Sequence, residues 1–291
     1  MQRARALQMK LLQWFTHHRR DLPWRRTKNA YRILVSEIML QQTQVPRVVP
    51  KYEAFLKRFP SLSALARAQQ RSVLAAWSGL GYNRRARNLH QLARTVMRDH
   101  QGKLPRTLHD LRQLPGVGEY TAAAVACFAY GAPVALVDVN VRRVLGRIFH
   151  GVRGPQNLSA EQVWELAASL VPMKHVVAWN SMLMDFGSAT CTQRMPKCAT
   201  CPVRPWCQAY PAVLNREDGE TKTHLPFVGS NRYWRGKIIS YLRTQKAHRS
   251  TLVALRRFFR AQGLPEEKCV TVLTALVKDN LVQQRGAYCT L

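Results

Sequence analysis

The stretch LPGVGEYTAAAVACFAYG, Leu114 to Gly131, decides how the rest of the chain is read. A helix ends within His109–Gln113, Pro115 and two glycines make a tight turn, and Glu119 begins a second helix rich in small residues. Gly116 and Gly118 permit positive φ and leave backbone N–H groups unobstructed. Aimed outward beside a helix N-terminus, such groups bind phosphate without regard to sequence. A plain helix–helix turn would also use glycine, so this stretch by itself is either a bare turn or a phosphate clamp.

Composition favours the clamp. The chain has 291 residues, enough for two or three small domains, and 45 Lys and Arg stand against 16 Asp and Glu, a formal net charge of +29. That excess predicts a polyanionic partner, nucleic acid before a membrane surface. An arginine-rich composition inherited from a GC-rich genome would raise the charge as well. No apolar run reaches the roughly 18 residues of a membrane span. The N-terminus lacks a signal peptide's apolar segment; Leu7, Leu11, Trp14 and Phe15 lie on one helical face instead. The expected location is the cytoplasm, associated with the nucleoid, and the expected state a monomer on DNA. Of seven cysteines, four crowd together late in the chain, which fits metal ligation in a reducing compartment better than disulfides.

Periodicity predicts an all-α protein. Apolar residues recur at helical spacing through 4–17, 31–41, 46–58, 62–68, 71–78, 84–99, 107–113, 119–130, 138–149, 160–171 and 176–187. Breaks fall at Phe59-Pro60, Gly79-Leu80-Gly81, Gly102, Pro115-Gly116 and Gly154-Pro155. Residues 213–229 read as a linker. Beyond it, helices are expected over 232–244 and 250–260, a third after Pro265, and a hairpin around Arg285-Gly286. Three helices and a hairpin suggest a small winged-helix-like module over 230–291, with 12 Lys and Arg against three acids. A helical cap that only packs on the body is the equal alternative.

Three further elements carry chemistry. Cys191-x6-Cys198-x2-Cys201-x5-Cys207 brings four thiols within reach of one metal centre, for which zinc is the generic occupant. In ALVDVNVRRVLGRIFHG, Asp138 follows a short apolar run and opens a helix, the position of an N-cap. In YRILVSEIMLQQTQVPRV, Glu37 lies among Ile33, Leu34, Ile38 and Met39. A carboxyl in such company is either partnered or held protonated at a raised pKa, unless its helix face is solvated.

Taken together these residues resemble the MutY-type adenine DNA glycosylases of the endonuclease III, or helix-hairpin-helix, superfamily. The resemblance covers roughly residues 10–212. It rests on DLPWRR (Asp21–Arg26), SEIMLQQTQV (Ser36–Val45), GLGYNRRARNLH (Gly79–His90), LPGVGEYTAAA, VDVNVRRVL and the four cysteines, whose spacing is similar to that family's [4Fe–4S] loop. It implies a monofunctional enzyme of base excision repair that flips out and hydrolyses adenine mispaired with 8-oxoguanine or guanine. Glu37 would protonate the adenine and activate water, Asp138 would stabilise the oxocarbenium-like sugar, and Tyr120 would hold the geometry. An acid for the leaving group and an anion beside the developing cation are what this bond cleavage needs. By the same resemblance Tyr82 matches an intercalating wedge, though by type alone it would be a core aromatic. Gln42 and Thr43 match contacts to the opposite base. Arg25, Leu80, Asn140, Gly116 and Gly118 match further DNA or substrate positions.

The fold implied is a six-helix module over 28–134 with the hairpin, a second helical domain combining 1–27 with 135–212, and an active cleft between them. There are departures. Only 84 residues follow Cys207, too few for the Nudix-like C-terminal domain and linker of full-length members, so the chain resembles the short, actinobacterial-type form. Ser181 stands where a glutamine or glutamate often lines the adenine pocket. The alternatives are a thymine glycosylase acting on G:T mismatches and a non-catalytic iron–sulfur DNA-binding protein. A bifunctional lyase would need its nucleophilic lysine at position 120.

Overall fold

Helical spacing of apolar residues carries through to the three-dimensional structure, a computed structural model that describes residues 2–151, 158–214 and 226–291. The Gly154-Pro155 break and residues 215–225 of the expected linker lie outside the described residues. In chain order the helices are α1 (Gln2–His18), α2 (Ala30–Leu40), α3 (Val45–Arg58), α4 (Leu62–Arg67), α5 (Gln70–Ala76), α6 (Arg84–Asp99), α7 (Leu108–Arg112), α8 (Glu119–Tyr130), α9 (Val139–His150), α10 (Ala160–Ser169) and α11 (Val176–Ala189). Then follow α12 (Asn231–Thr244), strand β1 (Arg249–Thr251), α13 (Leu252–Arg260), α14 (Glu266–Lys278), β2 (Gln283–Arg285) and β3 (Tyr288–Thr290). The described chain is therefore mostly helical. No helix in it is long and apolar enough to cross a membrane.

The chain divides into two compact units. The first comprises Met1–Glu37, Arg106–Gln113 and Val117–Thr221. Its core is built where Leu7, Leu11 and Phe15, spaced i, i+4, i+8 on α1, meet Val144 and Ile148 of α9 and Trp179, Met182 and Phe186 of α11. Helix α8 has no polar face: every residue from Thr121 to Cys127 is buried. A helix apolar all round must be enclosed, and its run of alanines lets neighbouring helices approach closely.

The second unit comprises Ile38–Pro105, Leu114–Gly116 and Lys222–Leu291. Phe55 packs edge-on against Phe59 and Trp77, and Leu89, Leu92, Ala93 and Val96 give α6 one buried face. In the C-terminal part, Trp234, Ile238 and Leu242 form a buried stripe on α12, with Trp234 edge-on to Phe259 of α13. The strands pair antiparallel in the order β1-β3-β2, with Gly286 between β2 and β3. Apolar alternation did not announce β1, because three residues are too short to show a period. It is held partly by the Arg249 guanidinium, 3.5 Å from the centre of the Tyr288 ring.

The glycine turn has two different glycines. Gly116 has φ +77, and a Cβ there would lie 2.7 Å from the Cβ of Asn88 on α6. Gly118 has ordinary extended backbone, is the N-cap of α8, and faces open space. Gly116→Ala should therefore destabilise the protein by about 1–3 kcal/mol, and Gly118→Ala by less than about 1 kcal/mol. Urea denaturation of both variants checks the order; equal losses would show that the turn is not held at Gly116.

Candidate active site

Glu37 is buried on α2 in the first unit, on a helix whose residues Ile33, Leu34, Ser36 and Ile38 are buried too, with 5 % of its own surface exposed. Burial in these surroundings drives its carboxyl pKa up from 4.5 to about 7; a hydrogen bond from the Tyr120 hydroxyl opposes the rise, the charge of Asp138 adds to it, and Arg25 opposes it. Tyr120, in the first turn of α8, is pushed well above the ordinary tyrosine range by burial and by the Glu37 and Asp138 charges. Its hydroxyl therefore stays a proton donor, and it also lies 3.9 Å from the Met184 sulfur.

Asp138 joins both readings its sequence position allowed. It is the N-cap of α9, accepting from the backbone N–H of Asn140 at 2.8 Å and of Val141 at 2.7 Å. Its second oxygen accepts from Asn140 Nδ2 at 3.0 Å, which fixes the carboxylate plane. The same carboxylate lies near enough to Glu37 and Tyr120 to shift both. So α2, α8 and α9 bring one acid of raised pKa, one hydroxyl and one helix-capping carboxylate together within a single unit.

Arg25 is held, not free. Its guanidinium is bidentate to Asp185 of α11, at 2.7 and 2.9 Å, and Arg20 adds a third contact to that carboxylate at 2.6 Å. Burial pushes Asp185 up, but the Arg25 hydrogen bond and the charges of Arg25 and Arg20 outweigh it and leave the carboxyl below its ordinary value. Asp185 was not singled out from sequence; a lone acid in the apolar run AWNSMLMDFG was the available signal.

Helix α9 ties this group to the cysteine loop. Asn140 Oδ1 accepts from Arg143, which also donates to the carbonyls of Gly187, at 2.6 Å, and Cys191, at 2.9 Å. One turn on, buried Arg147 donates to the carbonyls of Thr192 and Gln193 and to Cys191 Sγ at 3.4 Å. α9 and α11 run so close that a Cβ on Gly187 would fall 2.7 Å from that of Asn140. Cys191, Cys198, Cys201 and Cys207 all line one small cavity with Arg147 and Arg204. Burial raises the thiol pKa of Cys198, Cys201 and Cys207, and the charges of Cys191 and Cys207 raise Cys198 and Cys201 further. Among the described residues no three His, Cys, Asp or Glu side chains converge as ligands of a single ion would. The donor chemistry itself, four thiols around one cavity, suits a thiolate-liganded centre.

The remaining candidates lie in the second unit. Gln42 has φ +55 and is exposed; Tyr82 has φ +45 and is half-buried, not a core aromatic. Leu80 is buried, and its carbonyl accepts from Arg85 at 3.2 Å. Arg85, which sequence reading passed over inside GLGYNRRARN, staples the two loops. It donates to the carbonyls of Ile38 and Met39 at 2.9 Å, to that of Gln41, and to the Thr43 hydroxyl at 3.0 Å, while stacking over Trp77 and Tyr82.

Residues 35–170 match the family model described as HhH-GPD superfamily base excision DNA repair protein. Adenine DNA glycosylase of Mycolicibacterium smegmatis is 43 % identical over 241 residues, covering 81 % of this chain and 80 % of that one. The chain belongs to the adenine DNA glycosylase family. The Mycobacterium tuberculosis adenine DNA glycosylase is 41 % identical, covering 80 % of this chain and 77 % of its own. The chain spans 39 % of the human adenine DNA glycosylase, at 41 % identity over 214 residues. Among solved structures, a thermostable thymine-DNA glycosylase shares 35 % identity at a TM-score of 0.68, covering 72 % of this chain and 97 % of that one. The two mycobacterial adenine DNA glycosylases match at higher identity over more of the chain. An endonuclease III in a non-covalent complex with DNA, 22 % identical at a TM-score of 0.64 and covering 74 % of this chain and 98 % of that one, has the same fold.

Glu37 also sets a pH dependence of stability. Its folded pKa of about 7 lies above the ordinary 4.5, so its contribution is most favourable below pH 4.5 and is lost as pH rises through 7. Glu37→Gln removes that loss. Between pH 5 and 8 the variant should gain on the parent protein by an amount on the order of 3 kcal/mol. Urea denaturation at the two pH values checks this; a difference that does not change with pH would mean Glu37 is not buried as an acid.

Proposed function

We propose that this protein is a monofunctional adenine DNA N-glycosylase of base excision repair, acting on adenine paired with 8-oxoguanine or guanine in duplex DNA. The observation that carries the reading is the buried Glu37 carboxyl, poised near pH 7, against Tyr120 and the helix-capping Asp138. The base must leave the stack to be reached. Glu37, neutral for much of the time near pH 7, protonates the departing adenine; its carboxylate then takes a proton from the attacking water. Asp138, oriented by three hydrogen bonds, sets a negative charge beside the cationic sugar. Arg25 and Asp185 position charge behind Glu37 without leaving it ion-paired. Tyr120 donates to Glu37 but cannot form a Schiff base, so the strand stays whole after the base has left.

Around the lesion, Tyr82 acts as the wedge and Gln42 and Thr43 contact the opposite base. The Gly116–Gly118 turn, with no side-chain cap on α8, offers N–H groups to phosphate. Cys191, Cys198, Cys201 and Cys207 would hold a [4Fe–4S] cluster, whose contribution is to cross-link the loop that Arg143 and Arg147 dock on α9.

Two measurements test this reading. Duplexes with A:8-oxoguanine, A:G or T:G are incubated with the protein and then treated with alkali. The adenine strand should break in the first two, only after alkali, and Glu37→Gln should abolish release while duplex binding remains. Breakage confined to T:G would make it a thymine glycosylase. The purified protein should carry iron and sulfide with broad visible absorption, lost in a Cys198→Ser, Cys201→Ser variant; a colourless zinc protein would refute the cluster.

A further inference from the structure

The C-terminal part of the chain has no role in the chemistry above, yet it is built against the loops that carry Tyr82, Gln42 and Thr43. Within the second unit, Arg87 of α6 donates to the carbonyl of Asp279, and Gln70 Nε2 donates to that of Asn280 at 2.9 Å. These bonds seat the turn after α14 on α5 and α6. Beside this seat lies a cleft of about 1020 Å³, walled on one side by residues 41–47 and 78–88 and on the other by α12 and the α14 turn.

The charge of this cleft is one-sided. Its lining holds Arg47, Arg84, Arg85, Arg232, Arg235 and Arg243, and a single carboxylate, Asp279, which is paired with Arg235. Among the described residues no acid pairs with Arg47, Arg84, Arg232 or Arg243. Arg243 is half-buried, and that burial lowers its pKa. Gathering guanidinium groups without counter-charge is unfavourable for the folded chain and is repaid when an anion enters. Arg232 lies between two rings, 5.1 Å from the centre of Tyr82 and 4.9 Å from that of exposed Phe227, and donates to the Tyr82 hydroxyl. The C-terminal part therefore touches the proposed wedge residue directly.

We infer that the C-terminal module supplies one wall of the DNA-binding cleft, with Arg232 and Arg243 contacting the phosphate backbone of the duplex beside Tyr82. This rests on the glycosylase reading only for the identity of the lesion. The contacts themselves are to phosphate and blind to sequence. A cleft this open, lined by guanidinium groups from two separate segments, suits a continuous polyanion better than an isolated anion.

The test is equilibrium binding of the full-length protein to a fully paired duplex and to an A:G duplex across a salt series. Replacing both arginines, Arg232→Ala with Arg243→Ala, should weaken both duplexes by the same factor. It should also reduce the slope of log affinity against log salt by about one per arginine. Arg232→Lys with Arg243→Lys should restore the slope, since the charge and not the packing makes the contact. Should the alanine pair fail to fold, Arg232→Gln with Arg243→Gln keeps most of the side-chain length without the charge and serves for the same measurement. An unchanged slope in the folded variants, or a lost slope that lysine does not restore, overturns the proposal. So does competition by a nucleoside triphosphate that matches duplex at equal charge concentration. Adenine release with an unchanged slope would remove this surface and leave the enzyme reading. A reduced slope in a protein that never releases adenine would do the reverse.

Discussion

Placing a carboxyl group at the inner face of α2, out of water, is the constraint around which the first unit is arranged. An ionised carboxylate there would cost several kcal/mol, so the group is driven toward its neutral form, and its neighbours either add to or trim that shift. Burial alone would hold the Glu37 carboxyl higher still. The Tyr120 hydroxyl and the Arg25 charge pull it back, while Asp138 pushes it up, leaving the value near 7. Arg25 exerts this pull while its own guanidinium is engaged bidentate by Asp185. Tyr120 is carried by α8, whose buried alanines present only methyl groups to the helices around it.

Helix α9 turns this local balance into a structural axis. Asp138 at its start caps the helix and faces Glu37; Arg143 and Arg147 farther along satisfy the carbonyls of the cysteine loop. A buried arginine is tolerable where most of its donors find acceptors; Arg143 finds them on the carbonyls of Gly187 in α11 and Cys191, and Arg147 on those of Thr192 and Gln193 in the loop. The loop thus has its shape fixed from the α9 side, and the bare Gly187 lets α11 approach close enough for Arg143 to reach across. In the second unit Arg85 performs the same office, binding two loops through backbone carbonyls so that Tyr82 and Gln42 can sit at positive φ.

Much of this was legible in the residues. The helices follow their apolar spacing to within one or two positions at most ends, because buried stripes at 3.6-residue periods leave little choice. Glu37 stood out as an acid among aliphatics, Asp138 as a cap, and the cysteines as a set. What escaped reading were groups whose meaning depends on a distant partner. Asp185 and Arg25 are separated by 160 positions, Arg85 and Gln41 by 44, and no local pattern links them. The strand β1 escaped because its pairing partner, β3, comes almost at the end of the chain.

By itself, then, the sequence determined which segments are helical, which turn requires glycine, the excess of positive charge and the family to which the chain belongs. Those properties are local or additive, and spacing and composition express them directly. Only the tertiary structure decided that Glu37 is poised near pH 7, that Arg25 is engaged by Asp185, and that the C-terminal part lies against Tyr82. Each of these depends on through-space electrostatics and desolvation between residues far apart in the chain, quantities that exist only once the helices have packed.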